Sequence, residues 1–345
     1  MLSNSNNKIY NDTNSNFNNI LNKASPSDIT SDAYTSFFNN TFLIFKTINE
    51  FHYLVYISKT TSIICFDLFK LKKISEIKEI KNENITTFRH YLDKINNKDL
   101  VLTLCPMHNK LRIWDVSNWR CFIYINRVYN TGVLYSACFL NDNNVNYLIA
   151  SNCNYFGDSE LIKIFDFKGN KIREIDESND ATLIIDIYED KQSSKKYIVT
   201  GNKNYLKSFD YKNNKLYKKY YEMYNNSHFN YMINDKDEIV KLFDICEDGY
   251  LRIWNFHSGI MINKIIVSKE CLYDLCLWDE NNLLISSQDK TIKLFDLKNN
   301  KVVKSMKGHN NYVITLQKIN HVQYGAFLLS HGFENDQIKI WRIEI

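Results

Sequence analysis

The chain has 345 residues, a formal net charge of +4, 44% hydrophobic and 24% charged residues. That is an ordinary globular balance, and it implies no whole-molecule attraction to nucleic acid. No apolar run reaches the roughly 18 residues of a membrane span, and the polar N-terminus lacks the apolar core of a secretion signal.

Residues 1–30 are rich in Asn and Ser, have no apolar periodicity and are expected to form a disordered tail. The folded domain is expected over 31–345. From residue 41 onward, short apolar strands follow one another in groups. The first three groups are expected at 41–48, 51–58, 61–68 and 71–76; at 85–92, 98–104, 110–116 and 120–125; and at 132–139, 146–152, 161–167 and 171–175. Two more are expected at 182–188, 196–201, 205–211 and 215–221, and at 229–233, 238–245, 250–256 and 260–266. The last two are expected at 271–278, 282–287, 291–297 and 301–306, and at 312–318, 325–330 and 337–343. With only 9 Gly and 2 Pro in the chain, the intervening turns rely on Asn and Asp, which tolerate left-handed backbone.

One phrase recurs in the third strand of each group. It reads Leu111-Arg112-Ile113-Trp114-Asp115, Ile162-Lys163-Ile164-Phe165-Asp166, Leu206-Lys207-Ser208-Phe209-Asp210 and Ile292-Lys293-Leu294-Phe295-Asp296. It returns as Leu251-Arg252-Ile253-Trp254-Asn255, Ile338-Lys339-Ile340-Trp341-Arg342 and, more weakly, Ile63-Ile64-Cys65-Phe66-Asp67. The anchoring aromatics Phe66, Trp114, Phe165, Phe209, Trp254, Phe295 and Trp341 recur at steps of 48, 51, 44, 45, 41 and 46 residues. A repeat of this period builds an array of like units. Strand side chains alternate between faces. The basic residue and the aromatic therefore share one face, and the two aliphatics share the other. Both faces are apolar, so each sheet should pack on both sides, with the basic stem lying on apolar surface and its charge reaching water.

These phrases resemble tryptophan-aspartate (WD) repeats over about residues 41–345. The resemblance implies an all-β, seven-bladed β-propeller. Three copies keep Trp, and Gly308-His309 is the single Gly-His pair that precedes a first strand. It implies that His309 ties its loop to Trp341 through Ser330 and Asp336. The last group lacks an outer strand, and Tyr34-Thr35-Ser36-Phe37-Phe38 is strand-favouring, so an N-terminal strand is expected to complete the seventh blade. Trp278-Asp279 breaks the period, and Trp119 falls in a predicted outer strand; both read as packing residues. The three anchor tryptophans should be largely buried between blades.

Motifs of chemistry are missing. There is no phosphate-binding glycine loop, no nucleophile elbow and no H-E-x-x-H. The eight cysteines include no C-x-x-C. Scattered Cys in a large domain point to reduced thiols and to a cytoplasmic or nuclear protein. No catalytic residue, metal ligand or cofactor is expected, although a triad assembled from distant strands would leave no sequence trace.

Two surfaces remain. Residues 191–219 carry nine Lys and one acid, Asp210. Lys215, Lys218 and Lys219 could form an anion or phosphoinositide site, or simply protect an edge strand from pairing. Propellers of the autophagy type bind phosphoinositides through F-R-R-G, and the closest string here, Thr87-Phe88-Arg89-His90, has one Arg. The resemblance also implies a scaffold that binds proteins or peptides at its rim. Loop aromatics Tyr129, Tyr155, Phe156, Tyr312 and Phe333 are the candidate contacts, since aromatics dominate binding hot spots.

Overall fold

The structure, a computed structural model, describes residues 42–343 except 58–61, 69, 71, 79–84, 131, 154–160, 176–181, 203–204, 222–227, 237–238, 322–324 and 334–337. It is built of strands. Blade one is β1 (Phe42–Lys46), β2 (His52–Ile57), β3 (Ile63–Asp67) and β4 (Lys72–Ile77). Blade two is β5 (Thr87–Asp93), β6 (Lys98–Cys105), β7 (Lys110–Asp115) and β8 (Arg120–Ile125), with a 3-10 turn at Pro106–His108. Blade three is β9 (Val133–Asp142), β10 (Val145–Cys153), β11 (Ile162–Asp166) and β12 (Lys171–Ile175). Blade four is β13 (Ile184–Glu189), β14 (Lys196–Gly201), β15 (Tyr205–Asp210) and β16 (Lys215–Tyr221). Blade five is β17 (His228–Asn234), β18 (Lys241–Cys246), β19 (Tyr250–Asn255) and β20 (Met261–Ile266). Blade six is β21 (Leu272–Leu277), β22 (Asn282–Ser287), β23 (Thr291–Asp296) and β24 (Lys301–Lys307). Blade seven has β25 (Val313–His321), β26 (Gly325–Gly332) and β27 (Ile338–Trp341) among the described residues. The segment 34–38 expected to complete it lies outside the described residues.

Within each sheet the strands follow chain order and pair antiparallel. The second hairpin of every blade and the blade-joining loops therefore lie at one end, the proximal rim. The first and third hairpins lie at the other, the distal rim. The faces follow the alternation read from the sequence. Trp114 packs with Val55, Ile63 and Cys65 of blade one. Phe165 packs with Leu111 and Ile113 of blade two, and Phe209 with Ile162 and Ile164 of blade three. Trp254 joins Leu206, Phe295 joins Leu251 and Ile253, and Trp341 joins Ile292 and Leu294. Each aromatic thus seats on the aliphatics of the preceding blade. Phe66 of blade one packs with Ile338 and Ile340 of blade seven, which closes seven blades into a ring. Gln317 of β25 reinforces that seam: its Oε1 accepts the Ile44 N–H at 2.7 Å and its Nε2 donates to the Phe42 carbonyl at 3.1 Å.

The phrase has a local reason too. In six blades the third and fourth strands slip by one residue at the aromatic, between Cys65 and Phe66, Ile113 and Trp114, Ile164 and Phe165, Ser208 and Phe209, Ile253 and Trp254, and Leu294 and Phe295. Such bulges bend the outer strand and increase its twist. The next residue caps the following turn. The Asp166 carboxylate accepts the N–H of Lys168 and of Asn170, and Asp296 accepts those of Lys298 and Asn299. Asn255 accepts the N–H of His257 and Ser258 in the same way.

Three expectations need correction. Four of the six basic residues do not send their charge to water: Lys163, Lys207, Arg252 and Lys293 are buried, while Arg112 and Lys339 are half-buried. The four have partners within the protein. Lys163 donates to the Val128 carbonyl at 3.1 Å, the Lys207 ammonium lies 4.9 Å from the Tyr205 ring, Arg252 pairs with Asp248, and Lys293 pairs with Asp289. Trp119 is buried as expected, but it sits in the turn before β8 with φ of 55° rather than in the outer strand. Trp114 and Trp254 are buried, whereas Trp341 is only half-buried. Among the described residues no outer strand covers its blade.

Candidate functional site: the proximal rim and the blade-four edge

The loop from His309 to Tyr312 is fixed at its base. His309 Nε2 and Ser330 Oγ lie 2.6 Å apart, and the Trp341 indole N–H donates to the same hydroxyl at 2.7 Å. This is the tie expected of His309; Asp336 lies outside the described residues. Gly308 is needed because a Cβ there would stand 2.6 Å from the Trp341 ring. Lys339 donates to the Gly308 carbonyl from below. On this base, the Phe333 N–H donates to the Tyr312 carbonyl at 2.7 Å, and the two rings stack at 6.1 Å with 20° between planes. Tyr273 of β21 continues the stack against Tyr312 at 6.4 Å. Tyr312 and Phe333 are half-buried and Tyr273 is buried.

The other rim candidates divide. Tyr129 is 1% exposed, so it offers no contact surface. Its hydroxyl donates to the Ala150 carbonyl at 2.5 Å, and the Lys163 ammonium lies 4.4 Å from its ring. It is a packing residue between blades two and three, drawn inward by those partners. Tyr155 and Phe156 lie outside the described residues. The structure therefore brings together Tyr312 and Phe333 and adds Tyr273, which sequence reasoning placed in a strand and passed over.

On the outer edge of blade four, Lys215 and Lys219 are exposed and Lys218 is half-buried. The Lys219 ammonium lies 3.6 Å from the Tyr205 ring centre, and that of Lys218 lies 5.5 Å from the Tyr217 ring. Within the wider run, Lys191 pairs with Asp235, and Lys196 with Asp142 and Glu189. Lys215, Lys218 and Lys219 have no carboxylate partner among the described residues.

Burial pushes the thiols of Cys65 and Cys138 far above their ordinary range and that of Cys276 up to about 12. A thiol held there supplies little thiolate near neutral pH. Among the described residues no three His, Cys, Asp or Glu side chains stand together as a metal site. No helix there is long and apolar enough to cross a membrane.

No family model and no curated protein matches the chain. In fold it is similar to the crystal structure of the computationally designed Ika8 protein, with a TM-score of 0.60. The identity is 14%, over 92% of this chain and 100% of that one. At that identity the likeness speaks for the fold alone.

Proposed function

We propose that this protein is a divergent WD-repeat propeller that acts as a non-catalytic scaffold, holding a protein or peptide partner on its proximal rim. The supporting observation is the Tyr273–Tyr312–Phe333 stack. Two half-exposed aromatic rings stand on a base fixed by His309, Ser330 and Trp341. Large rings held rigid at low entropy cost are what hot spots use. A rigid ring that carries loops at its ends suits that role. The cytoplasm or nucleus is the expected compartment, given the free thiols.

The test is co-purification from the protein's own cell. Changing Tyr312 and Phe333 together to Ala should leave the melting temperature within a few degrees and remove the main retained protein. Retention of that protein by the folded double variant would refute the assignment.

The ammonium groups of Lys215, Lys218 and Lys219, which have no carboxylate partner among the described residues, support a second reading, an anion-binding or phosphoinositide-binding edge. Charge reversal at these three positions, read by flotation with phosphoinositide-containing liposomes, separates it from the first.

A further inference from the structure

Among the described residues, six outer strands edge the blades, and three in succession share a charge pattern. β16 reads KLYKKYY, β20 MINKII and β24 KVVKSMK, which is seven lysines and no acid. On blades one and three the outer strand supplies its own counter-charge: Lys73 pairs with Glu76 and Lys171 with Glu174, both at 2.7 Å. On blades four and six it does not. Asp210 stands opposite Lys215 and Asp296 opposite Lys301, but both acids lie at the distal end and cap the turns there. Farther along, Lys218 and Lys219 stand opposite Ser208 and Lys207, and Lys304 and Lys307 opposite Leu294 and Thr291. No cross-strand neighbour neutralises these four.

β20 lies between the two basic strands and differs from both. Its single lysine, Lys264, lays its ammonium 4.6 Å from the Tyr250 ring. Ile260, just before the strand, is 67% exposed, and Ile262 and Ile266 within it are 49% and 56% exposed. These three run down the side wall from the distal end to the proximal end. The surface continues to either side. A Cβ at Gly259 would stand 3.5 Å from the Lys218 side chain, so the blade-five turn touches β16. Ile262 and Asn263 share a groove with Leu297 and Asn300 of blade six. Lysines on an outer strand can serve to discourage edge pairing. That purpose does not account for this flank, because its middle strand is equally an edge and is left apolar.

We propose that the outer flank of blades four to six docks on an anionic lipid bilayer, with Ile260, Ile262 and Ile266 entering the boundary between headgroups and acyl chains and the lysines of β16 and β24 facing acidic headgroups on either side. Apolar burial combined with attraction to anionic lipid is how interfacial elements hold to a membrane. Lysines act across a Debye length, about 10 Å at 0.1 M salt, so those set back by the curve of the ring still contribute. An added peptide strand needs a pocket for every second side chain, and single-stranded nucleic acid needs aromatic platforms. Three isoleucines that project singly provide neither. The docking face stands apart from the proximal rim. It rests on the blade-four edge reading for Lys218 and Lys219, and adds to it the isoleucine line and blade six.

The test is flotation of the full chain with vesicles of phosphatidylcholine alone and of phosphatidylcholine mixed with phosphatidylserine, both free of phosphoinositide. The chain should float with the mixed vesicles only, and less so as salt rises and the Debye length shrinks. An Ile260→Thr/Ile262→Thr/Ile266→Thr variant keeps every charge and strand-favouring side chains, and it should lose at least fivefold in partition. A Lys218→Gln/Lys219→Gln/Lys304→Gln/Lys307→Gln variant should lose at least tenfold, since each lysine near an anionic surface contributes roughly fivefold. Should the isoleucine variant fail to fold by circular dichroism, Ile260→Thr alone, at the most exposed site, should lose at least twofold. Absence of flotation with the mixed vesicles would overturn the proposal, and retention on polyglutamate in its place would assign the flank to an acidic polypeptide. Wild-type partition by the folded isoleucine variant would overturn it too. If charge reversal at Lys215, Lys218 and Lys219 still released that variant from phosphoinositide vesicles, the blade-four anion edge would stand without the bilayer face.

Discussion

At the scale of single residues, the anchors differ in what they ask of their neighbours. Trp114 needs an acceptor and has one: its indole N–H donates to Thr103 at 2.9 Å. Trp341 has Ser330. Both acceptors lie two residues past the anchor's partner in the second strand. In the Phe blades the same position holds Tyr56, Ala150 or Ile285, with Thr200 the exception. That co-pattern is legible in the sequence once the register is known, and it follows from the indole N–H alone. Trp254 breaks it, because its buried Nε1 has no hydrogen-bond partner. Trp254→Phe should therefore cost less than Trp114→Phe, which leaves Thr103 without its donor, by about 1 kcal/mol. Urea melts of the two variants measure the difference.

Asp274 makes a prediction in pH. It lies between three blades, accepting from the Asn230 amide at 2.5 Å, the Leu275 N–H at 2.8 Å and the Leu316 N–H at 2.7 Å. Burial pushes its carboxyl up to about 7, against the pull of those donors. An unfolded Asp titrates near ~3.9. The folded chain therefore holds this proton more tightly, and the stability it confers is complete below the unfolded value and lost as pH rises through about 7. Denaturant melts should show stability falling between the two values. Asp274→Asn should flatten that slope, yet lower stability at every pH, because its amide N–H₂ must face a donor.

Tyr129 shows what a residue-level reading lacks. Like Tyr312, it is an aromatic residue in a blade-joining loop, and nothing nearby in sequence distinguishes the two. The Ala150 carbonyl and the Lys163 ammonium do so, and both come from elsewhere in the chain.

At the scale of elements, the aromatic-acid pair was readable because two local needs coincide. The aromatic marks the slip in the ladder, and the next residue caps the turn. The cap requires an acceptor oxygen rather than a charge, and Asn255 serves as well as the Asp residues do. Asp166→Asn should accordingly be tolerated. Asp166→Ala should cost on the order of 0.5–1.5 kcal/mol, read by thermal melts of both variants. Arg252 and Lys293 have their acids four residues earlier in the chain, so those two pairs were within reach of the sequence. The burial of the Lys163 head was not readable, because its partner, the Val128 carbonyl, lies 35 residues away. The ion pair between Arg89 of β5 and Asp186 of β13 was hidden for the same reason, since its partners are 97 residues apart and join only because the inner strands converge.

At the scale of the molecule, the ring follows from repetition. Each sheet is apolar on both faces, so each needs two neighbours, and a closed circle gives every blade both. Among the described residues nothing pairs with the outer edge of β27. If residues 34–38 cover it, deleting 1–20 should leave the melt unchanged, and deleting 1–39 should expose a sheet edge and cause aggregation. Light scattering on the two truncations checks this; equal behaviour would remove the segment from the fold.

The scaffold reading is tested most directly by amide hydrogen exchange on the full chain, alone and bound to the protein it retains from its own cell. Binding through the aromatic stack predicts new protection at 310–313 and 331–333, with the amides of 215–221 unchanged. Protection confined to 215–221, or no retained protein at all, would contradict it.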